Sequence, residues 1–411
     1  MRERFKEYLE QLQSKNLLRF LRTVESDQGP EIIFEGKKYL NFSSNNYLGL
    51  ANHPYLKQAA IEAVEKYGTG SGASRLITGS MSLHEELEKK IAAFKGTESA
   101  LIFNSGTQAN MGAIPALVGE NDFIFSDELN HASLIDGYRL SKAKIEVYRH
   151  GDVGHVGALL AAPPNKGVAS SAPTQISPID GRSQGSPLRI IITDSIFSMD
   201  GDIAPLPEIM ALAKKYDCLV YVDEAHGTGV FGKSGKGVVE HFGIDPKNHR
   251  LIQMGTLGKA LGSFGAYIAG SKDLIDFLIN KARTFIFSTS LPPAVLAASK
   301  AAIELIEKDP SHREKLWENV RYFSRVGAQF IAPTGMMNHA PTSPILPIII
   351  GDAKKTMEVA QQLFEHGIWA TGIRPPTVPE GTSRIRLTIM ASHTKEHLDR
   401  CLEAINKLFN K

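Results

Sequence analysis

The sequence has little cysteine, no excess of charge of either sign and no long apolar run. Its 411 residues include two cysteines, Cys218 and Cys401, and so few thiols exclude a disulfide-built scaffold. Lys and Arg total 46 against 44 Asp and Glu, and the net charge of +2 gives no broad basic field for nucleic acid or for an anionic membrane. We therefore expect a small-molecule partner or a local contact patch.

Two further absences concern membranes and secretion. The longest uncharged stretch, 99–119, has polar residues and glycine in its middle, which a bilayer-spanning helix of about 20 residues does not tolerate. The first residues, MRERFKEYLEQLQSKN, are charged and contain no apolar signal core. We predict a cytoplasmic protein with reduced thiols and no membrane-spanning segment.

The periodicity of apolar residues changes along the chain. Helical spacing at 5–12, 54–67 and 83–94 predicts amphipathic helices. From about residue 99, seven short apolar runs alternate with helical stretches, which is typical of a mostly parallel sheet with helices on both faces. After Pro292 a long helical stretch follows, and then a smaller set of strand-like and helical segments.

The predicted fold class is α/β, with three parts. An N-terminal helical segment covers 1–50, a large domain with a mostly parallel seven-stranded sheet flanked by helices covers 51–292, and a smaller C-terminal α/β domain covers 293–411. Within the large domain, the run 163–187 is rich in Pro and Ser and has too little apolar material for a core element. We expect an exposed, mobile loop there.

One segment matches two nucleotide-binding patterns. The run GTGVFGKS at 227–234 fits both GxGxxG and GxxxxGK[ST]. Both patterns require a helix to begin at once, so that its N–H groups face the phosphates, but Gly235-Lys236-Gly237 is a poor helix start. We interpret the run as a flexible glycine-rich connection and keep a nucleotide-binding switch or hydrolase as an alternative of another class.

Four chemistry-bearing groups follow predicted strands, and one of them, His131, opens a helix after the strand DFIFS. Asp223 ends the strand LVYV, and ligands of an open α/β sheet gather at the carboxyl ends of its strands. Lys259 lies among small residues in GTLGKALG, where a lysine can be held away from solvent for Schiff-base chemistry. The run FNSGTQAN at 103–110 enters a helix through Gly106, whose N–H groups suit a phosphate. Taken singly, each also fits an ordinary structural role, as a plain turn, a solvated lysine or a helix cap.

The combination of these elements is more specific than any one of them. In chain order, a phosphate-type helix start, an imidazole, an acid at a strand end and a lysine among small residues resemble the α-oxoamine synthases, a family of fold-type I pyridoxal phosphate enzymes. The resemblance extends over nearly the whole chain and leaves out 163–187. It implies that Lys259 binds pyridoxal phosphate covalently, that Asp223 pairs with the ring nitrogen and that His131 stacks on the ring.

The same resemblance implies a homodimer whose subunits share each active site. Ser198 and His226 would hydrogen-bond the ring oxygen of the cofactor, and His226 is counted with Lys259, His131 and Asp223 among the catalytic residues. The full set implied to bind the cofactor is Gly106, Thr107, His131, Ser198, Asp223, His226, Thr256, Lys259 and, from a second subunit, Ser288 or Thr289.

The resemblance also implies how substrates bind. Arg386, as a bidentate fork, and Asn45 would bind the carboxylate of the amino acid. Arg19 and Thr377 would contact the acyl substrate or product, and His131 would lie beside the substrate. No metal site is expected.

Local runs of sequence favour the family members that join L-alanine to a pimeloyl thioester in biotin biosynthesis. The runs NFSSNNYLGL at 41–50, AHGTG at 225–229, STSLPP at 288–293 and RPPTVP at 374–379 look most like those members, whose acyl donor is pimeloyl-CoA or a pimeloyl acyl carrier protein. Thr107 departs from them, because an aromatic residue is common at that position. The glycine-using 2-amino-3-ketobutyrate coenzyme A ligases and other α-oxoamine synthases remain alternatives.

Overall fold

The computed structural model of the chain describes residues 2–162, 187–331 and 342–409, so the predicted loop at 163–187 lies, apart from Pro187, outside the described residues. The helices in these ranges are Arg2–Ser14 (α1), Pro54–Tyr67 (α2), Ser82–Lys95 (α3), Gly106–Leu117 (α4), Ala132–Arg139 (α5), Val153–Ala161 (α6), Leu206–Tyr216 (α7), Val238–His241 (α8), Lys272–Lys281 (α9), Arg283–Ile286 (α10), Pro293–Lys308 (α11), Ser311–Ile331 (α12), Ala353–Glu365 (α13) and Lys395–Phe409 (α14). The strands are Glu31–Phe34 (β1), Lys37–Asn41 (β2), Ser99–Phe103 (β3), Phe123–Asp127 (β4), Lys144–Tyr148 (β5), Arg189–Asp194 (β6), Leu219–Asp223 (β7), Leu251–Thr256 (β8), Ala266–Gly270 (β9), Ile345–Gly351 (β10), Ile368–Trp369 (β11), Thr371–Ile373 (β12) and Ser383–Thr388 (β13).

The chain divides into two compact units. The central unit comprises His53–Phe197 and Ile203–Pro310. The terminal unit comprises Met1–Asn52, Ser198–Asp202 and Ser311–Lys411, so it brings together both ends of the chain and one short internal piece.

This division differs from the predicted three parts at two places. Strand β2 lies in the segment 1–50, predicted to be separate and helical, but it pairs in parallel with β11 from the C-terminal part. Backbone hydrogen bonds therefore make that segment part of the terminal unit. Helix α11 begins at Pro293, the predicted start of the small domain, but it packs on α2 and α3 and therefore belongs to the central unit.

A seven-stranded sheet forms the middle of the central unit. Its strand order is β3-β9-β8-β7-β6-β4-β5, in which β9 is antiparallel to both neighbours and the other pairs are parallel. The seven apolar runs of the sequence become these strands, which confirms the predicted mostly parallel α/β sheet. Every residue of β7 is buried, because a parallel strand with helices on both faces is shielded along its whole length.

A hydrophobic core lies between one face of this sheet and the helices α4, α5, α9 and α10. Alternate residues of the strands point into it, and each fully buried large apolar side chain stabilises the fold by about 1.5–3 kcal/mol. Gly137 lets α5 approach α4 closely, since a Cβ there would lie 2.8 Å from the carbonyl oxygen of Asn110. Core residues include Leu101, Ile114, Ile192, Tyr221, Ile268 and Phe285.

The terminal unit contains two three-stranded sheets, with the orders β1-β2-β11 and β10-β13-β12. Strands β1 and β2 form a hairpin whose two turn residues, Glu35 and Gly36, have φ of 48° and 68°, as the tight hairpin turn requires. Tyr39 of β2 stacks on Phe364 of α13 with ring centroids 4.3 Å apart, which fixes this hairpin against the helix. Helix α1 has no buried side chain.

The structure also bears on the expectations about membrane-spanning helices and cysteines. In the ranges that the structure describes, no helix is long and apolar enough to cross a membrane. Cys218 and Cys401 are both buried and are not joined in a disulfide. Burial raises the pKa of the Cys401 thiol, which keeps it protonated.

Candidate active site

The neighbouring strands β7 and β8 carry the central residues of the candidate site. Asp223 is the last residue of β7, and β8 ends at Thr256, three positions before Lys259. These strands are parallel, so their carboxyl ends meet at one edge of the sheet. The Nζ atom of Lys259 lies 2.8 Å from Nε2 of His226. The structure therefore brings together the predicted lysine and histidine, and Lys259 is half-buried.

Asp223 is a buried carboxylate, 2% exposed, whose hydrogen-bond donors are neutral. Its Oδ1 accepts from the backbone N–H of Ala225 at 2.9 Å, and its Oδ2 accepts from Nδ2 of Asn110 at 3.1 Å. Two neutral donors fix the orientation of the carboxylate without cancelling its charge. Such a group can pair with a cationic ring nitrogen of a ligand.

His131 is the N-cap of α5, so the ordinary structural role also holds for it. Its backbone N–H donates to Oδ2 of Asp194 at 2.6 Å, and its Nδ1 accepts from the backbone N–H of Ser133 at 3.2 Å. Desolvation lowers the pKa of His131 and Lys259 lowers it further, although Asp223 raises it. The imidazole is therefore neutral near pH 7, and its proton is on Nε2.

The N-terminus of α4 forms the predicted phosphate position. Ser105 is the N-cap of this helix, and its Oγ accepts from the N–H of Gln108 at 3.2 Å. As residues of the first turn, Gly106 and Thr107 have N–H groups with no acceptor inside the helix. A Cβ on Gly106 would lie 3.2 Å from Cε of Met254, so a larger residue would crowd this turn.

Two further predicted phosphate residues have structural partners of their own. The hydroxyl of Thr256 donates to the carbonyl of Gly265 at 3.0 Å and so closes the loop that carries Lys259. The carbonyl of Thr289 accepts from Nδ2 of Asn104 at 2.8 Å, next to the start of α4. Their contact with a phosphate, like that of Ser288, stays a prediction.

The turn after β7 is held by a buried ion pair. Glu224 accepts from the backbone N–H groups of Val238 and Val239, both at 2.9 Å. Nζ of Lys95, from α3, lies 3.8 Å from Oε1 of Glu224 and also donates to the carbonyl of Lys236. Burial lowers the pKa of Lys95, and the charge of Glu224 opposes that shift. These contacts fix the segment between Asp223 and α8.

The match to a phosphate loop at 227–234 lacks the required geometry. Turns follow β7, and the next helix, α8, begins only at Val238. The backbone N–H groups of Ser234 and Lys236 donate to the carboxylate of Glu240 at 3.0–3.1 Å. Hydrogen-bond donors that a bound phosphate would need are therefore already used within the protein. Lys233 is exposed. This arrangement supports the interpretation of a glycine-rich connection.

The predicted carboxylate ligands Arg386 and Asn45 contact each other in the terminal unit. Arg386 is 7% exposed, and its guanidinium donates to Oδ1 of Asn45 at 3.1 Å and to the carbonyl of Ser198 at 2.6 Å. Both acceptors are neutral, so the buried charge is suited to an anion. The predicted contact of the Ser198 hydroxyl with a cofactor oxygen stays a prediction.

The predicted acyl-binding residues Arg19 and Thr377 are exposed, and Arg374, also in the terminal unit, hydrogen-bonds Thr377 and the residue before Arg19. The guanidinium of Arg374 donates to the carbonyl of Leu18 at 2.7 Å, and its own carbonyl accepts from the N–H of Thr377 at 3.1 Å. Burial, followed by the nearby charge of Arg19, lowers the pKa of Arg374.

Three polar residues to which the sequence pattern assigns no role of their own hold the predicted ones in place. Arg374 lies within the run RPPTVP, and Asn110 lies within the helix start at 103–110. Asp194, at the end of β6, holds the backbone of His131, and burial together with the charge of Asp223 raises its pKa well above the usual value. In the sequence, Asp194 begins a run of acids and hydroxyls at the end of a predicted strand, and this pattern marks the position without giving it a role.

Comparisons with known proteins bear on the whole chain. A family model described as aminotransferase class I and II matches residues 37–405. The chain is 48% identical to 8-amino-7-oxononanoate synthase of Symbiobacterium thermophilum, over 98% of this chain and 96% of that protein. It is 46% identical to 8-amino-7-oxononanoate synthase 1 of Bacillus subtilis, over 94% of this chain and 92% of that protein.

Solved structures share the fold. A serine palmitoyltransferase from S. paucimobilis with a bound PLP–myriocin aldimine has a TM-score of 0.87 at 29% identity, covering 98% of this chain and 96% of that one. An 8-amino-7-oxononanoate synthase from Francisella tularensis has a TM-score of 0.73 at 28% identity, covering 90% and 98%. These likenesses confirm the expected fold-type I architecture. The chain belongs to the aminotransferase class I and II family and, within it, to the family of the 8-amino-7-oxononanoate synthases.

Proposed function

We propose that this protein condenses L-alanine with a pimeloyl thioester, with loss of CO2, to give 8-amino-7-oxononanoate and a free thiol in biotin biosynthesis, with pyridoxal phosphate as cofactor. The observation that carries the proposal is the 2.8 Å approach of Lys259 Nζ to His226 Nε2, at the strand end where the buried Asp223 lies. The 48% identity to an 8-amino-7-oxononanoate synthase supports the choice of reaction.

The residues of the central unit fit pyridoxal phosphate. The buried carboxylate of Asp223 has neutral donors and so suits a protonated pyridine nitrogen. The N-terminus of α4, with Gly106 and Thr107 in its first turn, suits a phosphate. The half-buried amine of Lys259 suits a Schiff base with an aldehyde. Together these groups match the ring, the phosphate and the aldehyde of this cofactor.

The side chains then have distinct tasks. When bound, pyridoxal phosphate accepts electron density from the α carbon of the amino acid. Asp223 keeps the ring nitrogen protonated. The amine of Lys259 would take the α proton of the amino acid and would later return a proton to the product carbon. His226 would orient that amine through the 2.8 Å contact. The neutral His131 would stack on the ring, as the family resemblance implies.

Substrate recognition uses the residues of the terminal unit. The buried guanidinium of Arg386 and the amide of Asn45 bind the carboxylate of L-alanine, and the charge of Arg386 supplies most of the binding. Arg19 and Thr377 contact the acyl chain, which arrives on coenzyme A or on an acyl carrier protein.

We also propose that the protein works as a cytoplasmic homodimer whose subunits share their active sites. Three large apolar side chains of the central unit support this, because Ile77, Phe264 and Phe287 are 74%, 55% and 70% exposed. Phe264 lies in the loop that carries Lys259, and Phe287 directly precedes Ser288. Exposed apolar residues beside site segments are typical of an interface with another subunit.

Mass spectrometry of the reaction products tests the proposed reaction. The protein loaded with pyridoxal phosphate is incubated with pimeloyl-CoA or acetyl-CoA, each with L-alanine or glycine. We expect product from L-alanine and pimeloyl-CoA with the mass of 8-amino-7-oxononanoate, together with released thiol. Product formed only from glycine and acetyl-CoA would assign the glycine-using ligase reaction instead, and no product from any pair would refute the proposal.

A further inference from the structure

The fully buried side chain of Asn110 connects residues of the proposed cofactor site. Its Nδ2 donates to Oδ2 of Asp223 at 3.1 Å and to Oγ of Ser133 at 2.9 Å, and its Oδ1 accepts from the hydroxyl of Tyr221 at 2.8 Å. Because a carboxylate only accepts hydrogen bonds, the amide can face Asp223 only with its NH2 group. Both amide hydrogens and the amide oxygen are therefore committed.

The same connection extends to His131. Oγ of Ser133 lies 2.8 Å from Nδ1 of His131, and the Ser133 N–H donates to that nitrogen. One asparagine side chain thus reaches Asp223 directly and His131 through a single hydroxyl group.

Rigid elements hold Asn110 in this position. It lies four residues after Gly106, about one turn into α4, so the helix that starts at the proposed phosphate site also carries this amide. Gly137 of α5 approaches the backbone of Asn110 too closely for any Cβ. Burial and the charge of Asp223 raise the pKa of Tyr221 well above its usual value, so its hydroxyl stays a neutral donor.

We propose that Asn110 is a positioning residue for Asp223. Its amide fixes one carboxylate oxygen and stabilises the negative charge, so that Asp223 is held as an anion toward the ring nitrogen of pyridoxal phosphate. Through Ser133 the same amide sets the position of the His131 ring. This inference rests on the proposed function, and it adds a residue that acts on the cofactor through Asp223 and His131 without touching the cofactor itself.

The test uses a readout on the cofactor itself. Protein loaded with pyridoxal phosphate labelled with ¹⁵N in the ring is examined by NMR across the neutral pH range, because the ¹⁵N shift distinguishes a protonated from an unprotonated pyridine. The variants are Asn110→Ala and Tyr221→Phe, the second of which removes only the donor to Oδ1 of Asn110. Asn319→Ala is the matched control, since Asn319 is also buried and donates to three backbone carbonyls, of Met390, Ala391 and His393.

For the wild type we expect a protonated ring nitrogen that does not titrate. Asn110→Ala should move the ¹⁵N signal toward the unprotonated form as the pH rises. It should also lower kcat by about 10- to 100-fold, the range seen when a residue that supports a ligand-contacting group is removed, with KM for alanine little changed. Tyr221→Phe should move the signal in the same direction by less, and Asn319→Ala should lower only thermal stability.

Wild-type nitrogen signals and kcat in both Asn110→Ala and Tyr221→Phe would overturn the inference. If Asn110→Ala fails to fold, Tyr221→Phe alone decides, since it keeps the asparagine and the size of the side chain. A wild-type protein that takes up no pyridoxal phosphate would instead refute the proposed function, so the two failures are distinguishable.

Discussion

At the residue scale, charge and hydrogen bonding at Asp223 decide what the proposed site can do. Its carboxylate is buried with two neutral donors, from Ala225 and Asn110, and so keeps its charge available for a cationic partner. A neutral amide at the same position would have nearly the same shape but no charge. Replacing Asp223 with Asn therefore tests whether the site requires the charge of this side chain or only its shape.

We predict that Asp223→Asn retains pyridoxal phosphate but loses turnover by at least about 1,000-fold, a loss of about 4 kcal/mol of transition-state stabilisation. An unprotonated ring withdraws electrons poorly, so exchange of the α hydrogen of L-alanine in D2O should slow equally. NMR of the alanine signal measures this exchange. Asp273→Asn, on the exposed side of α9, is the control and should behave as wild type. Near-normal exchange in Asp223→Asn would contradict the assigned role.

His393 gives a second residue-scale prediction, on stability against pH. Burial lowers its pKa to about 3, and Nε2 of its ring is hydrogen-bonded to the carbonyl oxygen of Asn41 at 3.0 Å. The unfolded chain has the ordinary value of 6.5, so between these values it binds a proton that the folded protein does not. The contribution of His393 to the unfolding free energy should therefore be fully present above pH 6.5. It should decrease as the pH drops, by about 2 kcal/mol at pH 5.

Urea unfolding followed by tryptophan fluorescence measures this effect, because both tryptophans, Trp317 and Trp369, lie in the terminal unit. His393→Gln cannot take up that proton, so we expect its unfolding free energy to change less between pH 7 and pH 5 than that of the wild type. Equal changes in the two proteins would show that His393 does not control the acid response.

Residues with a motif around them could be predicted from the sequence, and their hydrogen-bond partners could not. Lys259 and Asp223 follow predicted strands, so the pattern makes them candidates, and the family resemblance predicts their roles. Asn110 reaches Asp223 across 113 positions of the chain, through a hydrogen bond from α4 to the end of β7. Such a contact cannot be predicted from the local sequence, because tertiary packing decides which buried polar groups come within hydrogen-bond distance.

At the element scale, the ion pair between Lys95 and Glu224 joins α3 to the turn after β7. Its side chains are 1% and 0% exposed, so removing one partner leaves an uncompensated buried charge. We predict that Lys95→Met lowers the unfolding free energy by about 3–5 kcal/mol. Thermal unfolding followed by circular dichroism measures this loss.

Two comparisons make that prediction specific. The double variant Lys95→Met with Glu224→Gln should recover part of the lost stability, because it leaves no buried charge. Lys89→Met should change stability by less than about 0.5 kcal/mol, since its ion pair with Glu85 is exposed. A Lys95→Met protein as stable as the wild type would show that the buried pair does not hold the turn.

The turn itself gives a prediction against the nucleotide-binding alternative. Backbone N–H groups at Ser234 and Lys236 already donate to Glu240, so they are not available to bind a phosphate. Calorimetry should detect no binding of ATP or GTP by the wild type, and Lys233→Ala should keep nearly full synthase activity. Nucleotide binding that disappears in Lys233→Ala would favour the alternative.

The strands and most helices could be predicted because their periodicity is strong, whereas the placement of α11 and β2 could not. Helix α11 is amphipathic in either unit, and the contact partners α2 and α3 decide where it belongs. Strand β2 depends on β11, which lies more than 300 positions away in the chain. Sequence patterns indicate that such elements exist and leave their long-range pairing open.

At the scale of the whole molecule, the central unit carries the lysine, the acid and the helix N-terminus, and the terminal unit carries the arginines proposed for substrate recognition. The parallel sheet explains the first group, because its strands end at a single edge. The family resemblance predicts both groups, and 48% identity to an 8-amino-7-oxononanoate synthase over 98% of the chain supports that resemblance.

The most direct test of the account is the identity of the residue that binds pyridoxal phosphate. Reduction of the loaded wild-type protein with borohydride, followed by peptide mapping by mass spectrometry, shows where the cofactor is attached. We predict a single labelled peptide that contains Lys259, and no label in Lys259→Ala. A label on Lys233 or on any other lysine, or no label at all, would contradict the account.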